Sequence, residues 1–279
     1  MSKLFKLKGL YGFFGAEFEN RGIEKSDLDW IVCEVLKIKR AEIPAVNEIT
    51  KQQFFSIIRL SKKRMKGRPI DRIFKKREFY GRNFVLNRKV LSPRAETEVL
   101  CECVIKNVGE NVSILEIGTG SGAIAVTLKK EVPSFNVTAT DVSRGALRLA
   151  SANADRLNAG IDFIRSFIFD KLKGRKYDVI VSNPPYIPTA ELLDLDNEVK
   201  KFDPKLALDG GADGLFFYRE IIGEARDYLN VGGKIFFEIG RDQSSAVKKL
   251  LEKDFCDIMV LKDYSGNDRI VWAKLKEIV

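Results

Sequence analysis

From residue 111 onward the chain alternates between two hydrophobic periods, and no other feature narrows its fold as far. Short apolar runs rich in β-branched residues at 112–117, 136–140, 161–164, 178–181 and 234–238 read as strands. Their continuous rather than alternating apolar character marks strands covered on both faces. Helical spacing fills most of the intervals, at 121–131, 143–157 and 214–229, and returns at 243–253. Strand and helix in alternation specify an α/β fold with a doubly wound, mostly parallel sheet. The last two runs, 257–261 and 269–273, are separated by the turn Ser265-Gly266-Asn267-Asp268 without a helical pattern. They are expected to finish a seven-stranded sheet as an antiparallel hairpin.

In such sheets ligands collect at the carboxyl ends of the strands. Two strand ends carry unusual chemistry. After 178–181 come Asn183-Pro184-Pro185-Tyr186. Two prolines forbid further ladder pairing and fix the backbone, leaving Asn183 at a rigid corner with an aromatic just beyond. After the first strand come Glu116, Gly118, Thr119, Gly120, Ser121 and Gly122, opening a helix. Glycines there let the backbone turn sharply and approach a ligand closely. Asp141 ends the next strand, at roughly the ~20-residue spacing at which a carboxylate reaches ribose hydroxyls. Together these indicate a nucleoside-containing cofactor. Gly118-x-Gly120-x-x-Ala123 also satisfies the dinucleotide fingerprint, so NAD competes. No second mononucleotide half is evident, and an antiparallel terminal hairpin differs from the dinucleotide fold. S-adenosylmethionine fits better, because Glu116 and the glycine turn can meet a cationic amino-acid end without any pyrophosphate.

Composition removes several other chemistries. The chain has no histidine, which excludes Ser-His and Cys-His catalytic pairs. Its four cysteines, Cys33, Cys101, Cys103 and Cys256, form no CxxC pair. They read as small core residues, and no metal site is expected. No apolar run approaches the ~18 residues of a bilayer span, and Met1-Ser2-Lys3 leads into no signal-peptide core. The expected location is cytoplasmic. A net charge of +9 suits an anionic partner, although runs such as Lys62-Lys63-Arg64 also serve as plain solvated faces.

Three segments are expected. Residues 1–70 read as a small helical domain for recognising a partner, with capping boxes at Ser26-Asp27-Leu28-Asp29 and Thr50-Lys51-Gln52-Gln53 and a helix end near Gly67 and Pro69. Residues 71–92 read as a β-hairpin linker around Gly81-Arg82. Residues 93–279 hold the α/β domain, entered by a helix from Pro93 to about Lys106 with Glu96 and Glu98 in its first turn. Phe216-Phe217 and Phe236-Phe237 read as core packing. Arg94, Thr97 and Glu98 read either as an active-site entrance or as helix capping, and Glu238 either as catalytic support or as a strand-end charge.

The glycine turn, Asp141, Asn183–Tyr186 and the terminal hairpin resemble a class I S-adenosylmethionine-dependent methyltransferase, a Rossmann-like fold. The flanking segments Gly67-Arg68-Pro69-Ile70, Ser92-Pro93-Arg94-Ala95-Glu96-Thr97-Glu98, Asp209-Gly210-Gly211-Ala212-Asp213-Gly214-Leu215 and Glu238-Ile239-Gly240 resemble the HemK/PrmC family, the release-factor glutamine N5-methyltransferases. The resemblance implies that Gly118 to Gly122 wraps S-adenosyl-L-methionine, which leaves as S-adenosyl-L-homocysteine, and that Asp141 holds its ribose. It puts the adenine contact on Ser166-Phe167-Ile168-Phe169, where Phe167 stands in place of a common acidic residue, so Phe167 and Ile168 are expected to cover the ring by apolar contact. Asp203-Pro204 stands where Glu-Pro is common. The implied substrate is the glutamine of the Gly-Gly-Gln motif in class 1 peptide-chain release factors, acted on by a monomer with no nucleic-acid substrate. Asn183, Pro184, Pro185 and Tyr186 would be its catalytic residues, with Asn183 also among the residues that contact the cofactor. A ribosomal-protein glutamine, or the exocyclic amine of adenine or guanine, would use the same corner.

Overall fold

The computed structural model describes residues 4–277 and divides into two compact units, residues 1–75 and 76–279. The first unit holds β1 (Leu4–Lys6), α1 (Leu7–Glu19), α2 (Lys25–Leu36), a 3-10 turn at Arg40–Ala45, β2 (Glu48–Thr50), α3 (Lys51–Met65) and α4 (Ile70–Phe74). Its core gathers Phe14, Phe18, Leu28, Ile31 and Ile57. The Thr50 capping box is present: Thr50 N donates to Gln53 Oε1 at 2.8 Å and Gln53 N to Thr50 Oγ1 at 3.3 Å. The expected Ser26 box is not. α2 begins two residues earlier, with Glu24 at its N-cap, and Ser26 Oγ donates to Glu24 Oε2. The short β1–β2 pairing, Leu4 opposite Thr50, has no alternation long enough to be read from sequence.

The second unit runs β3 (Lys76–Phe79), β4 (Arg82–Val85), α5 (Ala95–Asn107), β5 (Ser113–Ile117), α6 (Ala123–Glu131), β6 (Asn136–Asp141), α7 (Arg144–Arg156), β7 (Asp162–Arg165), β8 (Tyr177–Ser182), α8 (Asn197–Phe202), α9 (Phe216–Tyr228), β9 (Leu229–Glu238), α10 (Ser244–Leu251), β10 (Phe255–Lys262) and β11 (Asp268–Leu275). The seven strands order as β10-β11-β9-β8-β5-β6-β7, and β11 alone runs against its neighbours. The β10–β11 turn is held by Asp263, whose Oδ1 accepts from Ser265 N and Asn267 N. Successive side chains of a strand face opposite sides, and two cores result. Val179 and Val181 join Ile114, Val137 and Phe236 under α5 and α6, whereas Ile180 joins Leu115, Ile235 and Phe237 under α9 and α10.

The 71–92 stretch is not one linker. Residues 71–75 close the first unit, and the hairpin belongs to the second, where Phe79 and Phe84 are buried with α5 and α6. The turn falls on Tyr80-Gly81, both at positive φ (50° and 68°). That is the type I′ geometry whose twist suits a two-residue hairpin loop. Between β8 and α9 the chain forms short helical turns at Thr189–Leu193, Asn197–Phe202 and Lys205–Ala207, too short for a periodic signal. Cys101 and Cys103 are buried and Cys33 and Cys256 half-buried, and among the described residues no cluster of metal-ligating side chains occurs. No helix of the described residues is long and apolar enough to cross a membrane.

Asn153 ties the hairpin to the glycine turn. Its side chain is fully buried; Oδ1 accepts from Val85 N at 2.9 Å, while Nδ2 donates to Val85 O at 3.1 Å and Ser121 O at 2.9 Å. Asn153→Ala is expected to lower stability by about 3 kcal/mol, since three hydrogen bonds made by a fully buried side chain are lost together. Urea denaturation should show a lower midpoint at unchanged slope.

Candidate functional site

The strand order reverses between β5 and β8: β6 and β7 follow on one side of β5, and β9 lies beyond β8 on the other. Loops leaving these two strands therefore diverge and open a crevice. Parallel register sets Ile117 opposite Ser182, so the glycine turn and the Asn-Pro-Pro corner start at one level. A cavity of about 690 Å³ lies there.

The glycine turn folds back on β6, with Gly118 N and Thr119 N both donating to Thr140 O at 2.9 and 2.8 Å. Gly118, Gly120 and Gly122 sit at φ of 79°, 55° and 83°, where a Cβ is strained. Their surroundings differ. A Cβ on Gly118 or Gly120 would meet no protein atom within 4 Å, which leaves the backbone open to a ligand. A Cβ on Gly122 would stand 3.1 Å from Ala150 Cβ, so Gly122 serves the packing of α6 on α7 and does not line the cavity.

Glu116, Gly118, Thr119, Gly120 and Ser121 line the cavity from β5, Asp141 from β6, Phe167 and Ile168 from the loop after β7, and Asn183, Pro184 and Pro185 from the corner after β8. Glu116 is buried at 1% exposure. Its Oε2 accepts from Thr119 Oγ1 at 2.6 Å and Ala125 N at 3.1 Å, while Oε1 has no partner. Burial pushes its carboxyl up to about 7 against those hydrogen bonds. Asp141 accepts from Gly120 N at 2.9 Å and Ser143 N at 2.8 Å, and burial raises it too. Ile168, a β-branched residue, is held at φ 42°. A conformation so poorly suited to its side chain, costing about 1–3 kcal/mol, is the kind that surrounding structure enforces at a binding wall.

Tyr186 is placed differently from the expectation. It does not line the cavity; its half-buried ring packs against the core under α9, and burial pushes its hydroxyl up to about 12. Its backbone is enclosed: Gln243 Nε2 donates to Tyr186 O at 2.9 Å, and a Cβ on Gly214 would fall 2.3 Å from that oxygen. Phe236 and Phe237 are core as expected, but Phe216 is 39% exposed and Phe217 lines the cavity, its ring 6.4 Å from that of Phe167. Arg94 pairs with Asp203 at 3.0 Å beside the cavity wall formed by Pro204 to Ala207.

Behind Asn183 lie two residues that the sequence left undecided. Thr97 is buried on α5, and its Oγ1 accepts from Asn183 Nδ2 at 3.2 Å. Glu238, the last residue of β9, is 2% exposed. Burial pushes it up to about 7, against the nearby polar side chains of Thr97 and Asn183 and the charge of Arg269, and Glu96 adds to the rise. Its Oε2 has no partner. Glu98 instead anchors the hairpin turn, accepting from Tyr80 N at 2.7 Å.

Residues 94–196 match the family model "Methyltransferase small domain". A methyltransferase of solved structure from Pyrococcus furiosus superposes with a TM-score of 0.55 at 22% identity, covering 72% of this chain and 91% of that one; it shares the fold. Among curated proteins, the release factor glutamine methyltransferase of Geobacter sulfurreducens is 37% identical over 261 residues, 91% of this chain and 92% of its own length. The protein of the same name from Bacillus cereus is 36% identical, covering 92% of this chain and 95% of its own. Identity at that level over nine-tenths of both chains extends past the sheet into the helical first unit, and the chain belongs to the release factor glutamine methyltransferase family.

Proposed function

We propose that this enzyme transfers a methyl group from S-adenosyl-L-methionine to the side-chain amide nitrogen of the glutamine in the Gly-Gly-Gln motif of class 1 peptide-chain release factors. The observation that carries it is the shared cavity: the glycine turn and the Asn-Pro-Pro corner leave adjacent parallel strands at one level and line one space. The cofactor's chemistry fits the residues present. Glu116 Oε1, a buried acceptor without a donor, suits an α-ammonium group. Gly118 and Gly120 leave room for close approach, and Asp141 stands at the adjacent strand end to take the ribose hydroxyls. Phe167, Ile168 and Val142 offer an apolar wall for adenine.

When bound, S-adenosylmethionine supplies an electrophilic methyl group on a positively charged sulfur. The protein's task is the acceptor. An amide nitrogen is a poor nucleophile because its lone pair is delocalised into the carbonyl, a resonance reflected in a rotational barrier of ~18–20 kcal/mol. Asn183 Oδ1 and the Pro184 carbonyl are two acceptors for the two N–H groups of the incoming amide. Holding both orients the nitrogen and favours loss of planarity. The same oxygen dipoles stabilise the positive charge that develops there. The N-methylated amide cation is strongly acidic, so its proton leaves without an imidazole, which this chain lacks. With its ring in the core, Tyr186 acts by fixing the corner's backbone.

The first unit is the substrate-recognising part of the enzyme in this reading. Residues 1–75 hold seventeen Lys and Arg against nine Asp and Glu, whereas the remaining residues hold thirty-one against thirty. Nearly all the positive excess therefore lies in the first unit, where it favours an acidic protein surface. The enzyme acts as a cytoplasmic monomer on protein and not on nucleic acid.

Three outcomes are expected. Incubation with purified release factor should add one methyl, located by mass spectrometry on the Gly-Gly-Gln glutamine; methylation of RNA, DNA or a ribosomal protein with the release factor untouched would overturn the assignment. Asn183→Ala should abolish transfer while cofactor affinity changes less than about threefold, because the lost acceptor faces the amide; an equal loss of affinity would make Asn183 a cofactor ligand. Finally, cofactor binding should release a proton below pH 7. Glu116 is pushed up to about 7 in the free protein, and a cation at Oε1 requires it ionised. Affinity should thus fall as pH drops below about 7 and stay flat above it. Glu116→Gln should remove the proton release, read calorimetrically in buffers of different ionisation enthalpy, and weaken binding about tenfold or more.

A further inference from the structure

A carboxamide is nearly symmetric in shape, with oxygen and nitrogen differing little in size. If Asn183 is to accept a hydrogen bond from the substrate amide, something must dictate which end of its own amide faces the cavity. The cavity side cannot do so before substrate arrives. The determinant must lie behind the residue, where Thr97 and Glu238 are. We propose that Glu238 and Thr97 are positioning residues that fix the orientation of the Asn183 carboxamide, with Nδ2 turned inward and Oδ1 presented to the substrate. This deepens the reading above and rests on it.

The direction comes from donor and acceptor inventories. Thr97 Oγ1 accepts from Asn183 Nδ2 at 3.2 Å. Its single hydrogen is then free to go onward, and Glu238 is the acceptor at hand: β8 and β9 pair with Ser182 opposite Phe237, which sets Asn183 beside Glu238 at the strand ends, on the face that α5 covers. An ionised carboxylate accepts and never donates. Were the Asn183 amide turned over, Oδ1 would meet the carboxylate with no hydrogen between them. A hydroxyl alone does not impose this choice, because it can rotate to donate or accept. Glu238 is the member that gives the relay its sense, and Thr97 extends it to Asn183. Thr97 comes from the first turn of α5 and Glu238 from the end of β9, so the orientation is dictated from two directions. The Tyr218 hydroxyl donates to Glu238 O at 2.8 Å and holds that strand end in place. The buried Glu238 Oε2 has no partner. Such an arrangement lowers stability, and core packing gives no reason for it.

Protonation erases the sense, since a neutral carboxyl can also donate. Glu238 is faced by Arg269 from β11, Glu96 from α5, and the hydroxyls of Tyr186 and Tyr218. Arg269 is itself paired with Asp263 at 3.2 Å. Burial prevails over Arg269 and leaves the carboxyl titrating near 7. The ionised form, and with it the oriented amide, is lost as pH falls through that value.

The decisive variants are Glu238→Gln, Thr97→Val and Thr97→Ser, assayed on intact release factor with kcat, KM, cofactor affinity and melting temperature measured for each. Gln keeps the volume of Glu238 but offers either an acceptor or a donor. Glu238→Gln should lower kcat by about thirtyfold or more, a loss of the size that misorientation of a catalytic group produces. Cofactor affinity should change less than about threefold, and at pH 8 the melting temperature should be unchanged or higher, because a buried charge has gone. Thr97→Val should lose kcat likewise, and Thr97→Ser, which restores the hydroxyl, should recover it to within about threefold of the parent. The decline of the parent's kcat below pH 7 should be absent in Glu238→Gln. A Glu238→Gln enzyme with the parent's kcat and pH profile would overturn the proposal, as would a loss shared equally by kcat and cofactor affinity or accompanied by a lower melting temperature. Failure of the parent itself to methylate release factor would count against the substrate assignment instead, so the two failures are separable.

Discussion

The site depends on one alignment, the parallel pairing of β5 with β8 that sets Ile117 beside Ser182. Ser182 Oγ donates to Ile117 O at 2.7 Å in a fully buried setting, locking the two strand ends together. Side-by-side parallel strands release their loops at the same edge, whereas an antiparallel pair would send them to opposite edges. Because the strand order reverses there, the helices that follow leave on different sides and the edge stays open. The antiparallel β11 lies beyond β9, where it extends the sheet without disturbing that edge.

On this frame the charges divide the work. Two buried glutamates end inner strands, Glu116 near the end of β5 and Glu238 at the end of β9, and burial pushes both up to about 7. Each has one oxygen without a partner. Glu116 lines the cavity, where the proposed reading gives it the cofactor's cationic end. Glu238 lies at the strand end beside Asn183, and in that reading it acts through the amide. The chain has no histidine, and in the proposed mechanism the protein contributes fixed dipoles and carboxylates. This division suits a reaction whose difficulty is the orientation and delocalisation of a nitrogen lone pair.

Most of the sheet was legible because its strands are buried on both faces and read as continuous apolar runs. The expected strand at 178–181 is β8, Tyr177–Ser182, and the expected helix at 143–157 is α7, Arg144–Arg156. The glycine turn, Asp141 and Asn183 were legible because each needs a residue type that ordinary strand ends do not. Thr97 and Glu238 were ambiguous for a physical reason: a threonine among acids at a helix start is also good capping chemistry, and a strand-end glutamate is also an ordinary surface charge. Only tertiary contact makes them neighbours of Asn183. Tyr186 and Phe217 were misplaced because an aromatic's hydrophobicity tells that it packs, not on which side of a wall. Gly122 was read with its neighbours, although its close contact with Ala150 sets it apart. The short turns between β8 and α9 carry no period to read.

The enclosure of the Tyr186 backbone decides when the enzyme meets one of its entropy costs. Cβ atoms on Gly210, Gly214 or Gly240 would all intrude on Tyr186, and the Gln243 amide bridges Tyr186 O and Gly214 O. Ordering a backbone residue costs about 1–2 kcal/mol. For residues 183–186 that cost is met once, as the polypeptide folds, and prolines at 184 and 185 keep it small. In the proposed mechanism a glutamine entering the cavity meets acceptors already immobile, so its binding free energy is available for orienting its own amide.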